Sequence, residues 1–256
     1  MRGRRASSCV PTARPVFGRK LLIIAVLLAL VPAVSPGAGK TQVLFDGKDL
    51  AGWRQPTGDW MIAKGVVLDP ADPAKFVISP GQGIAVNGAK GRTVELVTDA
   101  EFGDVEVELE FCVPRQSNSG IYLMGRYEIQ IYDSFGVGQD KYPGIECGGI
   151  YPRWINEKNV EGHSPRVNAS KPPGQWQTLD ISFRAPRFDS SGKKTANARF
   201  VKVVHNGKVI HENVELSGPT RATLWEDEKP SGPIRLQGDH GPVAYRNLRV
   251  KAVELK

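Results

Sequence analysis

Between Tyr127 and Asp133 apolar and polar residues alternate, so a strand there carries Glu128, Gln130 and Tyr132 on one side and Ile129 and Ile131 on the other. Residues two apart on one strand face stand roughly 6.6–6.8 Å apart. A carboxylate, an amide and a phenol therefore point the same way in a row, with Asp133 just beyond. Such a face can grip a polyhydroxylated ligand through several hydrogen bonds at once. The same pattern also fits a half-exposed sheet face with no ligand.

These residues belong to a longer run, 118–136, that reads as two strands joined at Gly125. The chain around it reads as nearly all β. Short Val/Ile-rich runs are separated by Gly, Pro, Asn and Asp, and no amphipathic helix longer than a few turns stands out after Gln42. Val43, Leu44 and Phe45 open the domain. Residues 60–68 read as a strand pair around Lys64–Gly65, and 92–98 as a strand. In 104–113, Val105, Val107, Leu109, Phe111 and Val113 point inward, while Glu106, Glu108, Glu110 and Cys112 take the other face. Residues 176–184 form another strand. Asn206–Gly207 predicts a tight type I′ hairpin within 200–211. Residues 234–237 and 243–253 read as a closing pair around Gly238–Gly241. Many short strands at this spacing predict a two-sheet sandwich or jelly roll.

Two stretches break the pattern. Residues 134–173 are rich in turn residues but carry Tyr142, Tyr151 and Trp154, which predicts an ordered loop lying over something. Residues 217–233 hold Trp225 and the run Glu226–Asp227–Glu228, which reads as a solvated loop rather than a metal site.

The N-terminus carries an export pattern. Six basic residues and no acid precede an unbroken apolar run from Leu21 to Val31, followed by Pro32 and small residues. Residues 1–37 are expected to be a signal peptide and 38–256 a single exported domain, periplasmic or extracellular. The apolar run is too short for an ordinary membrane span, and an uncleaved anchor is the alternative. Of 34 Lys and Arg, 28 lie after residue 37, against all 27 Asp and Glu. The basic balance is thus a property of the leader, and neither a nucleic-acid partner nor stable membrane association after cleavage is inferred from it. Cys112 and Cys147 leave room for one disulfide but not for a disulfide framework.

Several motifs carry a family resemblance: LFDGKDLAGW at 44–53, EFCVPRQSNSGIYLMGRYEIQIYDS at 110–134, GGIY at 148–151, KPPGQWQTLDI at 171–181, HNGKVI at 205–210 and GPIRLQGDHGPVAYRNLRV at 232–250. In order and spacing the chain resembles the bacterial 3-keto-disaccharide hydrolase family. The resemblance implies an all-β, concanavalin-A-like two-sheet jelly-roll sandwich. The run LQGDHG departs from the family's shorter LQxHG by one glycine, Gly238.

The implied activity is cleavage of a 3-keto-glycoside, as a hydrolase or lyase. A ketone at C3 acidifies the hydrogen on C2; a base removes it, the C1 oxygen leaves, and water adds back. Such a site needs a base, a stabiliser for the enolate and an acid for the leaving group. Glu128 is the candidate base or metal ligand. His240 is the candidate acid or enolate stabiliser, with Asp239 as its partner or a second ligand. Asn118, Arg126, Gln130, Tyr132 and Asp133 are candidates to hold hydroxyls. The sequence specifies no cofactor; a divalent cation could take the enolate charge instead, with Glu, Asp and His as suitable ligands.

Other readings of the same residues stay open. Asp239–His240–Gly241 also reads as a hairpin turn, Asn118–Ser119–Gly120 as a turn, and Arg246–Asn247 as a structural pair. Trp53, Trp60 and Trp176 read as core anchors, and His163, His205 and His211 have no ligand spacing. A two-carboxylate glycosidase would need a second carboxyl group roughly 5–9.5 Å from the first; only the Glu106, Glu108 and Glu110 row offers that spacing. A non-catalytic carbohydrate-binding module on the same fold would use the same face without tuned acid–base groups.

Overall fold

The computed structural model describes residues 39–138 and 144–256. The expected signal peptide at 1–37 and Tyr142 lie outside them. The described chain is all β and forms two facing sheets. The larger has eight strands. In spatial order seven of them are Lys208–Leu216 (β14), Ala198–His205 (β13), Gln177–Arg184 (β10), Val105–Cys112 (β5), Ala244–Ala252 (β16), Phe76–Val86 (β3) and Met61–Leu68 (β2). Thr41–Phe45 (β1) shares the β16 edge with β3. The smaller sheet runs Leu96–Phe102 (β4), Gly232–Leu236 (β15), Asn118–Leu123 (β6) and Tyr127–Tyr132 (β7). Two ribbons complete the set: Arg153–Ile155 (β8) with Lys158–Val160 (β9), and Arg187–Phe188 (β11) with Lys194–Ala196 (β12).

The core lies between the two sheets. Val105, Val107, Leu109 and Phe111 of β5 meet Ile121 and Leu123 of β6 and Ile129 and Ile131 of β7, all buried. Phe183 packs against Tyr127 and Phe200 with ring centroids 5.2 and 5.1 Å away. Each such side chain contributes roughly 1.5–3 kcal/mol by leaving water. Trp53 and Trp60 are buried core anchors, as the sequence suggests, while Trp176 is half-buried beneath Arg246.

Local sequence explains most turns. Met124 and Gly125 both take positive φ and join β6 to β7 through an Arg126 N–H bond to the Leu123 carbonyl. Asn206–Gly207 makes the expected tight turn between β13 and β14.

Four expectations are corrected. Residues 60–68 are not a strand pair: β2 is unbroken, and the irregularity beside Ala63 and Gly65 is a register slip against β3. The strand expected at 92–98 begins at Leu96, because the Thr93 N–H is drawn to the Gly238 carbonyl instead. The closing strands β15 and β16 do not pair: β15 sits between β4 and β6, and β16 between β5 and β3. Gly238–Gly241 is therefore a crossover between sheets, not a hairpin turn. The long loop at 134–173 contains the β8–β9 ribbon, turned at Asn156 and Glu157, which both have positive φ. Cys112 and Cys147 are buried free thiols, so the disulfide that two cysteines allow is not formed.

Candidate active site

Strand alternation assembles the site on the outer face of the smaller sheet. Ile129 and Ile131 enter the core, which leaves Glu128 and Gln130 on the opposite face. The antiparallel register sets Asn118 against Tyr132, Gly120 against Gln130 and Tyr122 against Glu128. From the next strand Arg235 pairs with Tyr122, and Gln237 follows on the same face.

Loops close this face. The Gln130 N–H donates to the Gly149 carbonyl, and the Tyr151 N–H to the Glu128 carbonyl. Ile150 bridges to Ile129, so alternation brings Tyr151 to the Glu128 side. The Thr220 hydroxyl accepts from the Glu128 N–H and donates to the Arg126 carbonyl, which fastens a second loop beside it. The result is a cavity of about 300 Å³ lined by Asn118, Tyr122, Glu128, Gln130, Tyr151, Arg221, Ala222, Gln237 and His240.

The floor is unusually polar for a buried place. Glu128 and Gln130 are buried, and Tyr122 is fully so. Asn118 Oδ1, Tyr122 Oη and Gln130 Oε1 are buried without a hydrogen-bond partner. Buried polar atoms left unpaired cost about 1–3 kcal/mol each, so their clustering in one cavity marks a place for a ligand with hydroxyl groups.

Among the described residues that line the cavity, Glu128 is the one carboxylate. Burial pushes its carboxyl up to about 8 from an ordinary 4.5, and the charges of Glu95 and Asp239 push the same way. Tyr122 and Arg235 oppose the shift without cancelling it. The Tyr122 hydroxyl is near enough to favour the charged carboxylate but makes no hydrogen bond of good geometry. Arg235 is held by Glu95 at 2.9 Å and by the Ala222 carbonyl at 2.5 Å, and its guanidinium lies 4.1 Å from the Tyr122 ring centre.

His240 reaches the cavity from the crossover. Asn87 donates to the Gly238 and Gly241 carbonyls at 3.0 and 2.8 Å and accepts the Val243 N–H. Arg92 donates to the Asp239 carbonyl at 2.8 Å. Gly238 is required because a Cβ there would collide with the Val94 carbonyl. His240 Nδ1 bonds to the Asp239 carboxylate, and with Nδ1 as donor Nε2 is the free nitrogen of the ring.

Of the residues singled out from sequence, the structure brings Asn118, Glu128, Gln130 and His240 into one cavity, with Asp239 behind His240. It places three elsewhere. Arg126 is buried at the other end of the strand face, bonded to the Asp227 carboxylate at 2.8 Å and to the Asp227 carbonyl. Tyr132 packs half-buried against the core. Asp133 accepts the Gln116 N–H at 3.0 Å, which fixes the turn before β6. Among the described residues no three His, Cys, Asp or Glu side chains converge on a metal position. Tyr122, Tyr151, Arg221 and Gln237 were not visible as site residues in the sequence. Tyr151, Arg221 and Gln237 lie outside the strands, and Tyr122 differs from an ordinary strand tyrosine only through its partners.

Residues 40–251 match the family of 3-keto-alpha-glucoside-1,2-lyase-like domains. The chain belongs to that family. At that level it is a carbohydrate-active domain of hydrolase or lyase type. A candidate glycosyl hydrolase from Parabacteroides distasonis ATCC 8503 is 27% identical, covers 84% of each chain and superposes with a TM-score of 0.61. A second from the same organism is 20% identical over 84% of this chain and 100% of its own, with a TM-score of 0.52. A third is 17% identical over 84% of this chain and 94% of its own, with a TM-score of 0.51. No protein of curated function matches the chain. The family's sandwich fold agrees with the concanavalin-A-like jelly roll expected from sequence.

Proposed function

We propose that this cavity cleaves 3-keto-glycosides by elimination and hydration. The observation that carries the reading is the buried Glu128 carboxyl, pushed up to about 8, on a floor of unpaired side-chain oxygens. A carboxylate of raised pKa is a better match than an ordinary one for a hydrogen next to a ketone. A two-carboxylate glycosidase would need a second carboxyl group in the cavity, and none lines it among the described residues.

In the proposed reaction Glu128, as carboxylate, takes the proton from C2. The C2–H electron pair forms the enolate, whose oxygen accepts from the Tyr122 hydroxyl. The enolate collapses, the ketone re-forms, a C1=C2 double bond appears and the C1–O bond breaks. His240, with both ring nitrogens protonated and Nδ1–H on Asp239, gives its Nε2 proton to the departing oxygen. Glu128 releases its proton to solvent; water then adds its hydroxyl to C1, its proton restores His240, and a solvent proton returns to C2, completing a net hydrolysis. Asn118, Gln130 and Gln237 bind ring hydroxyls. Export after loss of residues 1–37 is part of the same reading, from the basic and apolar leader.

The test is turnover by the purified domain of 3-keto-glycosides against the matching ordinary glycosides, with and without a chelator. Selective cleavage of the keto substrates is expected. Cleavage of ordinary glycosides would favour a conventional glycosidase, and binding without turnover a carbohydrate-binding module.

A further inference from the structure

The catalytic cavity does not end at Arg221. A second cavity of about 340 Å³ shares Arg221 and Ala222 with it as a common wall, and is otherwise lined by Arg153, Trp154, Pro219, Thr220 and Glu226. We propose that the two cavities form one bipartite groove, with the keto sugar over Glu128 and the leaving sugar ring against Trp154. The inference rests on the glycoside-cleaving reading above and adds where the second ring binds.

Three observations carry it. First, Trp154 lies on a short ribbon at the groove with 48% of its surface exposed, in a protein whose Trp53 and Trp60 are buried. The Arg221 guanidinium, 4.0 Å from its ring centre, ties the indole to the shared wall. A flat indole beside polar groups suits the apolar face of a sugar ring. Second, the Arg153 Nε is buried with no hydrogen-bond partner, although Nη1 bonds the Ser217 hydroxyl and pairs with the Glu161 carboxylate. A Cβ on Gly218 would lie 2.6 Å from an Arg153 nitrogen, so the glycine makes room for this side chain. Arg153 itself lines the second cavity, so its guanidinium brings hydrogen-bond donors to that wall. Third, the wall is fixed. The Thr220 N–H donates to the Arg126 carbonyl and the Arg221 N–H to the Pro152 carbonyl, each at 2.9 Å. A rigid second site lets remote binding energy serve the reacting bond.

The occupant follows from geometry and chemistry. In a 3-keto-disaccharide the second ring is joined through the C1 oxygen, so it must leave the first cavity by the route that departs from C1. The second cavity is polar and carries one aromatic face, which matches a sugar.

The experiment compares Trp154→Ala with wild type on a 3-keto-disaccharide and on the corresponding 3-keto methyl glycoside, which has no second ring. The ratio of kcat/KM for disaccharide to methyl glycoside is expected to fall by about tenfold, the size of roughly one lost aromatic contact. Turnover of the methyl glycoside shows that the variant is folded. An unchanged ratio overturns the second subsite and leaves the proposed reaction standing. If wild type turns over neither substrate, the reaction and the subsite both fall.

Discussion

The Glu128 carboxyl lies across Gly120 of the neighbouring strand, in the space that a Cβ at residue 120 would fill. Gly120 needs no unusual backbone; what it supplies is the absence of a side chain under the candidate base. The clash in Gly120→Ala would fall on the flexible end of Glu128, not on backbone. The variant is expected to fold with a stability loss of at most about 1–3 kcal/mol. Turnover of a 3-keto-glycoside is expected to fall by about 10²-fold or more, because a displacement near 1 Å has that cost. Thermal melts and kcat/KM on one preparation check both halves.

Glu128 also makes a paired prediction in pH. As the base it must lose its proton, so kcat/KM should rise about tenfold per pH unit below about 8 and level off above. Stability runs the other way. Between 4.5 and about 8 the folded chain keeps a proton that the unfolded chain releases. This contribution is present in full below 4.5 and is lost as pH rises through about 8. Glu128→Gln removes the penalty, so the variant should exceed wild type by roughly 3–5 kcal/mol at pH 9 and match it near pH 4. A constant difference across denaturant titrations at both pH values would contradict the raised pKa.

Gln130 and Arg126 lie two residues from Glu128 on either side, yet opposite outcomes are expected for them. Gln130 Oε1 is buried and unpaired, so Gln130→Met should leave stability unchanged or raise it by about 1 kcal/mol while raising KM for the keto sugar. Arg126 holds Asp227 outside the cavity. Arg126→Met should lower stability by roughly 1–3 kcal/mol, with little change in KM. Substrate titrations beside melting curves separate the two roles.

His205 and His211 set the acid limit of the fold. Burial depresses both to about 4 from an ordinary 6.5. His205 Nε2 bonds Gln177 and His211 Nε2 bonds the Gly148 carbonyl, while His205 Nδ1 has no partner. As pH falls from 6.5 to about 4, the unfolded chain takes up protons that the folded chain refuses. Stability should therefore fall across that window, by about 3 kcal/mol per histidine. His205→Phe should lower proton uptake on unfolding at pH 5 by about one, measured by calorimetry in buffers of different ionisation enthalpy.

Much of this architecture is legible in the sequence because it is written in local pattern. The alternation Glu128–Ile129–Gln130–Ile131 is enough to oppose a polar face to the core, and Asn206–Gly207 is enough for a tight turn. What is not legible depends on contacts distant in the chain. Arg126 has the parity of Glu128, but parity does not tell how far along a face a cavity extends, and Asp227 lies about a hundred residues later. Gly238–Gly241 has the composition of a turn whether its strands pair or change sheets. Tyr151 and Arg221 join the site only because backbone bonds to Glu128 and Pro152 place their loops there. The raised pKa of Glu128 is likewise a property of burial beside Glu95 and Asp239, which its sequence neighbours do not reveal.

The central claim is that the C2–H bond breaks and that Glu128 takes the proton. The most direct measurement uses a 3-keto-glycoside carrying deuterium at C2, following product and solvent label together at early times, with isolated product as the exchange control. The account predicts loss of the label to water with every turnover, at a rate well above exchange of the product alone. It also predicts neither label release nor cleavage by folded Glu128→Gln. Cleavage by wild type with the deuterium retained at C2, or cleavage by Glu128→Gln at the wild-type rate, would contradict it.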